Sequence, residues 1–151
     1  MNVLLDTNLH LRLSQPDHAQ HQVAVSAVET LQQRGDILCL VPQIAYEFWV
    51  VATRPSGENG LGLTIAQTHA ELSRIRKIFP MHNDTEAILS EWERLVVKHQ
   101  VIGKSSHDAR LVAAMIVHKL TQILSFNYRD FQRYQEITAI NPEEVVAPPA
   151  T

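Results

Sequence analysis

The amino-acid sequence predicts an α/β domain in which a mainly parallel sheet has helices on both faces. Short apolar runs of strand length alternate with longer segments whose apolar residues recur at helical spacing, as expected for parallel strands joined by helices. At 151 residues the chain is long enough to bury one substantial core. A hydrophobic fraction of 45% and a charged fraction of 19% are typical of a globular protein and exclude a disordered one.

The predicted strands are short, apolar and followed by polar or turn-forming residues. They cover residues 2–5, 37–41, 79–82, 122–126 and 137–140. The continuous apolar character of residues 37–41 indicates a strand that is buried on both faces, as in a parallel sheet. The segment at 137–140 is predicted to be an edge strand, because Asn141 and Pro142 stop it at once.

The predicted helices are segments in which apolar residues recur every three or four positions. They cover residues 7–13, 18–34, 42–52, 64–78, 85–99 and 105–120. Pro42 suits the first turn of its helix, and Gly35 and Gly103 mark breaks between elements. Residues 1–141 form the predicted domain, and residues 142–151, with three prolines, a flexible C-terminal tail.

The net charge of −3 does not by itself indicate a nucleic-acid-binding protein, since such proteins are more often basic. It does not exclude one, because a bound metal ion can provide the phosphate contact. The N-terminus has no basic segment followed by a long apolar stretch, and no apolar run is long enough to span a bilayer. These features predict a cytoplasmic protein without a signal peptide or membrane association.

Three acidic residues lie where predicted strands end or predicted helices begin. Asp6 follows the first strand, Glu47 lies on the apolar stripe of the helix after the second strand, and Asp108 lies near the start of a late helix. Each also has a purely structural interpretation. Asp6 can cap the next helix, Glu47 can reach solvent from the edge of its stripe, and Asp108 can belong to a capping box with Ser105.

The three acids together favour a metal site. In a parallel sheet the C-terminal ends of the strands and the N-termini of the helices lie at the same edge, so these carboxylates can converge there. Grouped carboxylates repel one another and raise one another's pKa, and a divalent cation relieves this repulsion. A cluster of oxygen ligands suits Mg²⁺ or Mn²⁺ better than zinc.

A fourth candidate position follows the predicted strand at 122–126. Asn127 offers an amide oxygen there, and Asp130 offers a further carboxylate. Either side chain can bind a water molecule or a second ion. Either can instead only brace the turn, since Asn and Asp are favoured in turns.

The order of these motifs resembles that of the PIN-domain ribonucleases, and in particular of the VapC-type toxins of bacterial toxin–antitoxin pairs. The resemblance runs from Leu-Leu-Asp-Thr-Asn at residues 4–8 to Phe-Asn-Tyr-Arg-Asp-Phe at residues 126–131. Its most specific part is residues 103–114, where a glycine, a His-Asp-Ala motif and a helix of small residues follow one another. Asp-Thr-Asn alone is a weak signal, whereas the pieces in this order are a strong one.

The resemblance implies a three-layer α/β/α sandwich that cuts RNA with Mg²⁺ or Mn²⁺ and that often forms a homodimer. Asp6, Glu47 and Asp108 match the family's acidic positions. The fourth acidic position falls at or near Asn127, which is not an acid, so Asp130 becomes a candidate ligand for a second ion. Toxins of the family are typically restrained by an antitoxin whose tail enters the acidic groove, which implies a cognate antitoxin as a partner.

The resulting hypothesis is metal-assisted hydrolysis of RNA phosphodiester bonds. Asp6 and Asp108 would hold a Mg²⁺ directly or through water, and Glu47 would complete the cluster or orient the attacking water. The amide at the fourth position would fix a water molecule or a phosphate oxygen. Lys104 and Arg110 flank Asp108 and are candidates for contacts to the RNA backbone, although basic residues on helix surfaces are usually only solvated.

Three other functions are compatible with parts of the sequence. An aspartyl phosphotransferase also places a nucleophilic Asp after its first strand, but it usually has a second Asp two residues later, where this chain has Asn8. A degenerate domain would bind RNA or a protein without cutting, and the intact acidic trio argues against it. A housekeeping RNA-processing nuclease would use the same acids without a toxin role.

Overall fold

A four-stranded parallel sheet forms the centre of the molecule. The computed structural model describes residues 1–146; residues 147–151 lie outside the described part of the chain. The strands are β1 (Asn2–Leu5), β2 (Ile37–Cys39), β3 (Gln122–Leu124) and β4 (Thr138–Ile140). They are arranged in the order β2-β1-β3-β4, and every neighbouring pair is parallel. This sheet confirms the predicted fold class.

Strand β1 is the anchor of the sheet because it pairs with β2 on one side and with β3 on the other. Val3, Leu4 and Leu5 are fully buried, as expected for a strand covered by helices on both faces. The residue that follows β1 is therefore held in a fixed position at the carboxyl edge of the sheet.

Seven helices surround the sheet in residues 1–146. They are α1 (Thr7–Leu13), α2 (His21–Gln33), α3 (Pro42–Thr53), α4 (Ile65–Ile78), α5 (Ala87–Lys98), α6 (Ser105–Val117) and α7 (Pro142–Val146). Helix α1 packs against α3, and α5 packs against α6. The longest of them, α4, has 14 residues, and within the described residues no helix is both long and apolar enough to cross a membrane.

The predicted strand at residues 79–82 is reduced to one isolated bridge between Leu40 and Met81. The carbonyl of Pro80 accepts a hydrogen bond from the Leu40 N–H. Pro80 has no N–H of its own to extend the ladder. The segment therefore runs parallel to the chain at the end of β2 without forming a regular strand.

Residues Pro142–Val146 differ from the predicted flexible tail, because they form helix α7, which packs against α2. Pro142 and Val145 are buried. Asn141 accepts a hydrogen bond from the Glu143 N–H through its side-chain oxygen, and Pro142 occupies the first helical position. The Asn-Pro pair thus starts a helix here, a role that proline fills as readily as that of a strand stop.

A fully buried histidine, His10, lies in the core beside the α3–α4 pair. Its ring packs edge-on against Phe79, and neither ring nitrogen has a hydrogen-bond partner among residues 1–146. Burial, together with a smaller contribution from the positive charge of Arg74, lowers the pKa of His10 to about 3. Below pH 6.5, therefore, His10 is protonated in the unfolded chain but remains neutral in the folded protein. As a result, the free energy of unfolding decreases as the pH falls from about 6.5 towards 3.

Replacing His10 with Leu is expected to raise the free energy of unfolding by about 1–3 kcal/mol at pH 7, because two buried polar atoms without partners are removed. The variant should also lose less stability than the wild-type protein between pH 7 and pH 4.5. Urea unfolding at both pH values measures the two effects. The exposed His69, changed to Leu on helix α4, serves as the control and should alter neither quantity. An unchanged pH slope in the His10 variant would contradict this account.

Candidate active site

Asp6 lies at the carboxyl end of β1 and is only 7% exposed. Its Oδ1 accepts a hydrogen bond from the Thr7 N–H at 2.8 Å, so it caps α1 as the sequence suggests. Its Oδ2 accepts from the Ser125 hydroxyl at 2.7 Å and from the Asn8 amide at 3.3 Å. The carboxylate is thus fixed by neutral donors from α1 and from the end of β3, with no cation among these partners.

Glu47 lies on α3, one position before the buried Phe48, and both of its carboxylate oxygens accept hydrogen bonds. The Thr7 hydroxyl donates to Oε2 at 2.8 Å, and the Gln43 amide donates to Oε1 at 2.8 Å. Thr7 therefore joins the Asp6 end of β1 to Glu47. Glu47 is half-buried, and it differs from the solvated Glu of the structural alternative because both of its oxygens are bonded to side chains.

Gln43 extends this connection to α6. Its amide Nε2 also donates to the backbone carbonyl of His107 at 2.8 Å, and His107 precedes Asp108. One chain of contacts thus runs from Asp6 through Thr7, Glu47 and Gln43 to the helix that carries Asp108. These hydrogen bonds connect the three elements that carry the predicted acids.

Asp108 is half-buried in the first turn of α6, and its carboxylate has no hydrogen bond or ion pair with any residue in 1–146. The capping box with Ser105 does not form, because Ser105 is inside the helix and no side chain caps its N-terminus. The structural interpretation of Asp108 as a helix cap is therefore not what the structure shows. Its carboxylate is available to a ligand.

Burial raises the pKa values of two of the acids to about 6. For Asp6, burial is the largest cause, the bonds from Ser125 and Thr7 oppose it, and the negative charges of Glu47 and Asp130 add to it. For Asp108, burial is again the largest cause, followed by the charges of Asp6, Asp130 and Glu47. The acids are thus close enough to feel one another's charge, and their full ionisation near pH 7 costs free energy that a cation would recover.

A cleft opens beside Asp108, with a volume of about 530 Å³. We call it the first cleft; its lining residues are Lys104, Ser105, Asp108, Arg129, Asp130 and Arg133. Arg133 is oriented by a hydrogen bond from its guanidinium to the His99 carbonyl at 2.6 Å. Within residues 1–146, none of its three basic side chains forms an ion pair with an acid. The cleft therefore places positive charge next to Asp108 and Asp130.

The family model of the PIN domain matches residues 3–137, a range that contains all the acids described above. The chain belongs to the PIN domain family. No match is found among curated proteins.

Several solved structures share the fold of this PIN domain at low sequence identity. VapBC-1 from nontypeable Haemophilus influenzae has a TM-score of 0.70 at 15% identity, covering 95% of this chain and 99% of that one. VapBC2 from Rickettsia felis, bound to a DNA fragment from its promoter, has a TM-score of 0.69 at 14% identity, covering 93% and 98%. VapC20 from Mycobacterium tuberculosis, a toxin that cleaves the sarcin–ricin loop, has a TM-score of 0.58 at 16% identity, covering 80% and 86%.

The chemistry of the donors in this PIN domain fits a hard divalent cation, because every candidate ligand is an oxygen and Asp108 has no competing partner. Within residues 1–146, however, no three His, Cys, Asp or Glu side chains are gathered closely enough to form a ready metal site. Mg²⁺ usually retains several of its waters and is held by only one or two carboxylates. A loosely gathered acidic group is compatible with that mode of binding.

The remaining predicted site residues of the PIN domain lie in three different places. Lys104 and Asp130 line the first cleft together with Asp108. Arg110 instead faces Asp84 at 3.6 Å and lines a different groove, so the structure does not bring it to the acids. Asn127 is exposed, and its backbone N–H donates to the Ser125 hydroxyl at 3.0 Å.

Sequence reasoning missed the neutral side chains that hold the acids, namely Thr7, Asn8, Gln43 and Ser125. It also missed Arg129 and Arg133 in the first cleft. The arginines carried a usable signal, because both lie within three positions of Asp130 in the segment that follows β3. The neutral residues carried none beyond their position next to a strand end.

Proposed function

We propose that this PIN domain is a metal-dependent ribonuclease that hydrolyses RNA phosphodiester bonds. The observation that carries the proposal is the hydrogen-bonded chain that joins Asp6, Glu47 and the Asp108 helix beside a cleft with three free basic groups. Acids without cationic partners at a cleft are the kind of group that holds a catalytic ion. Cleavage of a panel of defined RNAs by the purified protein tests the proposal.

In this mechanism Asp6 and Asp108 would hold a Mg²⁺ or Mn²⁺, directly or through water. Such an ion neutralises the scissile phosphate and lowers the pKa of the attacking water. Glu47, whose two oxygens are each fixed by one donor, uses a remaining lone pair to orient that water. Asn127 fixes a water molecule or a phosphate oxygen, and Asp130 is the candidate ligand for a second ion.

The basic side chains of the first cleft bind the charged backbone of the substrate. Lys104, Arg129 and Arg133 line it from the start of α6 and from the segment after β3. Contacts to phosphate oxygens place a nucleic-acid strand without reading its sequence. Arg110 has no part in this role, because it lies in another groove.

Mg²⁺ is expected to raise the melting temperature of the wild-type protein by roughly 5–10 °C at a concentration of about 100 times its dissociation constant, since binding to the folded state alone stabilises it. EDTA should abolish both this shift and RNA cleavage, and Mn²⁺ should restore both. The Asp108→Asn variant should show a much smaller shift, while Asp17→Asn, an exposed Asp on another surface, should behave like the wild type. An equal shift in all three proteins would mean that the ion binds elsewhere.

We also propose that the ribonuclease is the toxin of a type II toxin–antitoxin system and acts in the cytoplasm. The support is its PIN domain family and a fold shared with VapBC proteins and with a toxin that cleaves the sarcin–ricin loop. A housekeeping RNA-processing enzyme is the competing role. Growth arrest on induction, relieved by the product of an adjacent gene, distinguishes the toxin from that enzyme.

A cognate antitoxin and a second copy of the chain are the proposed protein partners. Large apolar side chains remain exposed on α3 and α5, among them Tyr46, Val50 and Leu89. Trp49 and Trp92 line two grooves in the same region of the chain. Clustered apolar surface of this kind marks sites of protein association.

A further inference from the structure

A second cleft of about 330 Å³ lies on the other side of the segment that follows β3. Its lining residues include Gln20, Asn127, Tyr128, Asp130, Asn141 and Glu143. Arg129 and Asp130 line both this second cleft and the first cleft. If an RNA strand binds with one phosphate beside Asp108, the neighbouring nucleotide can therefore reach the second cleft.

Two residues that line the second cleft, Tyr128 and Arg129, offer planar groups for stacking. The guanidinium carbon of Arg129 lies 5.5 Å from the centre of the Tyr128 ring, which pairs a planar cation with an aromatic ring. Proteins that read single-stranded RNA stack unpaired bases on aromatic rings and on arginine planes. Tyr128 and Arg129 are thus suited to hold a nucleobase.

Two amide side chains of the second cleft are oriented by their own contacts. The Gln20 side-chain oxygen accepts a hydrogen bond from Arg12 at 3.1 Å, and the Asn141 side-chain oxygen accepts from the Glu143 N–H at 3.0 Å. Neither NH₂ group has a partner among residues 1–146. Both residues therefore present donors, while the carboxylate of Glu143 presents acceptors.

We propose that the second cleft binds one unpaired guanine of the RNA substrate next to the cleaved phosphate. Guanine has two acceptors, O6 and N7, for the amide donors. Its pairing edge also carries two adjacent donors, N1–H and N2–H, for the two oxygens of one carboxylate, and no other base combines two adjacent acceptors with two adjacent donors. This inference rests on the proposed ribonuclease function and adds the recognition of an unpaired base to it.

The cleavage test compares RNAs that differ only in the base beside the cut. The wild-type protein should prefer guanine there, and Gln20→Glu should reduce that preference about 10-fold, because it retains the oxygen for Arg12 but loses the NH₂ donors. Gln22→Glu adds the same charge at an exposed position of α2 and should leave the preference unchanged. Equal loss of preference in both variants, or a wild-type preference for another base, would overturn the proposal.

A binding measurement without cleavage keeps this inference separate from the enzymatic one. In EDTA, guanosine monophosphate should shift the side-chain NH₂ signals of Gln20 and Asn141 in NMR spectra, whereas ribose 5-phosphate should not. If guanosine monophosphate shifts these NH₂ signals but the protein cuts no RNA, the base site is supported and the ribonuclease function is refuted. If the protein cleaves RNA but its NH₂ signals respond equally to both compounds, or to neither, only the base site is refuted.

Discussion

The Asp108→Asn variant is expected to cleave RNA at least about 100-fold more slowly than the wild-type protein in saturating Mg²⁺. Asp108 carries the one carboxylate of the trio that has no protein partner within residues 1–146, so its charge is the most available to a cation. The loss corresponds to about 2.7 kcal/mol of transition-state stabilisation, within the several kcal/mol that a catalytic ion contributes. Single-turnover cleavage of one RNA measures the effect.

The fold should survive this substitution, because the Asp108 side chain makes no hydrogen bond that Asn would lose. Circular dichroism and the melting temperature in EDTA check that point. Asp17→Asn makes the same chemical change at an exposed position and should retain full activity. Wild-type rates in the Asp108 variant would remove this residue from the catalytic group.

The Asp6→Asn variant is expected to be about 1–3 kcal/mol more stable than the wild-type protein at pH 7 in EDTA, although it should be inactive. Burial raises the pKa of Asp6 from 3.8 to about 6, so between these pH values the folded protein binds more protons than the unfolded chain. The wild-type protein therefore loses stability as the pH rises from about 4 to about 6. Asn carries no charge and escapes that loss, and its oxygen still accepts from Thr7. Its NH₂ group replaces the oxygen that accepts from Ser125 and Asn8, and the loss of these bonds offsets part of the gain.

Urea unfolding from pH 4 to pH 7 measures this effect. Near pH 4 the two proteins should be almost equally stable, and the variant should gain its advantage only as the pH rises. His10 contributes a change of the opposite sign in the same range, but equally in both proteins, so it cancels in the difference. A variant that is less stable than the wild-type protein at every pH would show that Asp6 serves mainly to support the fold.

The elements whose boundaries are specified by local chemistry could be predicted from the sequence. Apolar β1 ends at Asp6, Pro42 begins α3, and Gly103, with a φ of +62°, precedes α6 in a left-handed conformation that glycine adopts most readily. The sequence does not predict the helix at Pro142, although its proline occupies the same first helical position as Pro42. The proline alone does not reveal whether apolar residues such as Val145 find a helix to pack against.

The sequence indicates which acids are candidates for the site, but it does not indicate the side chains that hold them. Gln43 reaches a carbonyl 64 positions away, and Ser125 reaches a carboxylate 119 positions away. Small polar residues at strand and helix ends are common, and nothing in their own neighbourhood names such a distant partner. Arg110 shows the opposite difficulty: it lies only two positions after Asp108 on α6, yet its side chain lines a different groove.

The bond between Asp6 and Ser125 joins the beginning of the chain to its last quarter. Strand β1 pairs with β3, so the carboxyl edge of the sheet is incomplete until Gln122–Leu124 have been synthesised and inserted beside it. A nascent chain still attached to the ribosome through these residues has its acids but not their arrangement. The carboxyl edge of the sheet, with the bond from Ser125 to Asp6, is therefore assembled only after residues 122–125 have been synthesised and are free to fold.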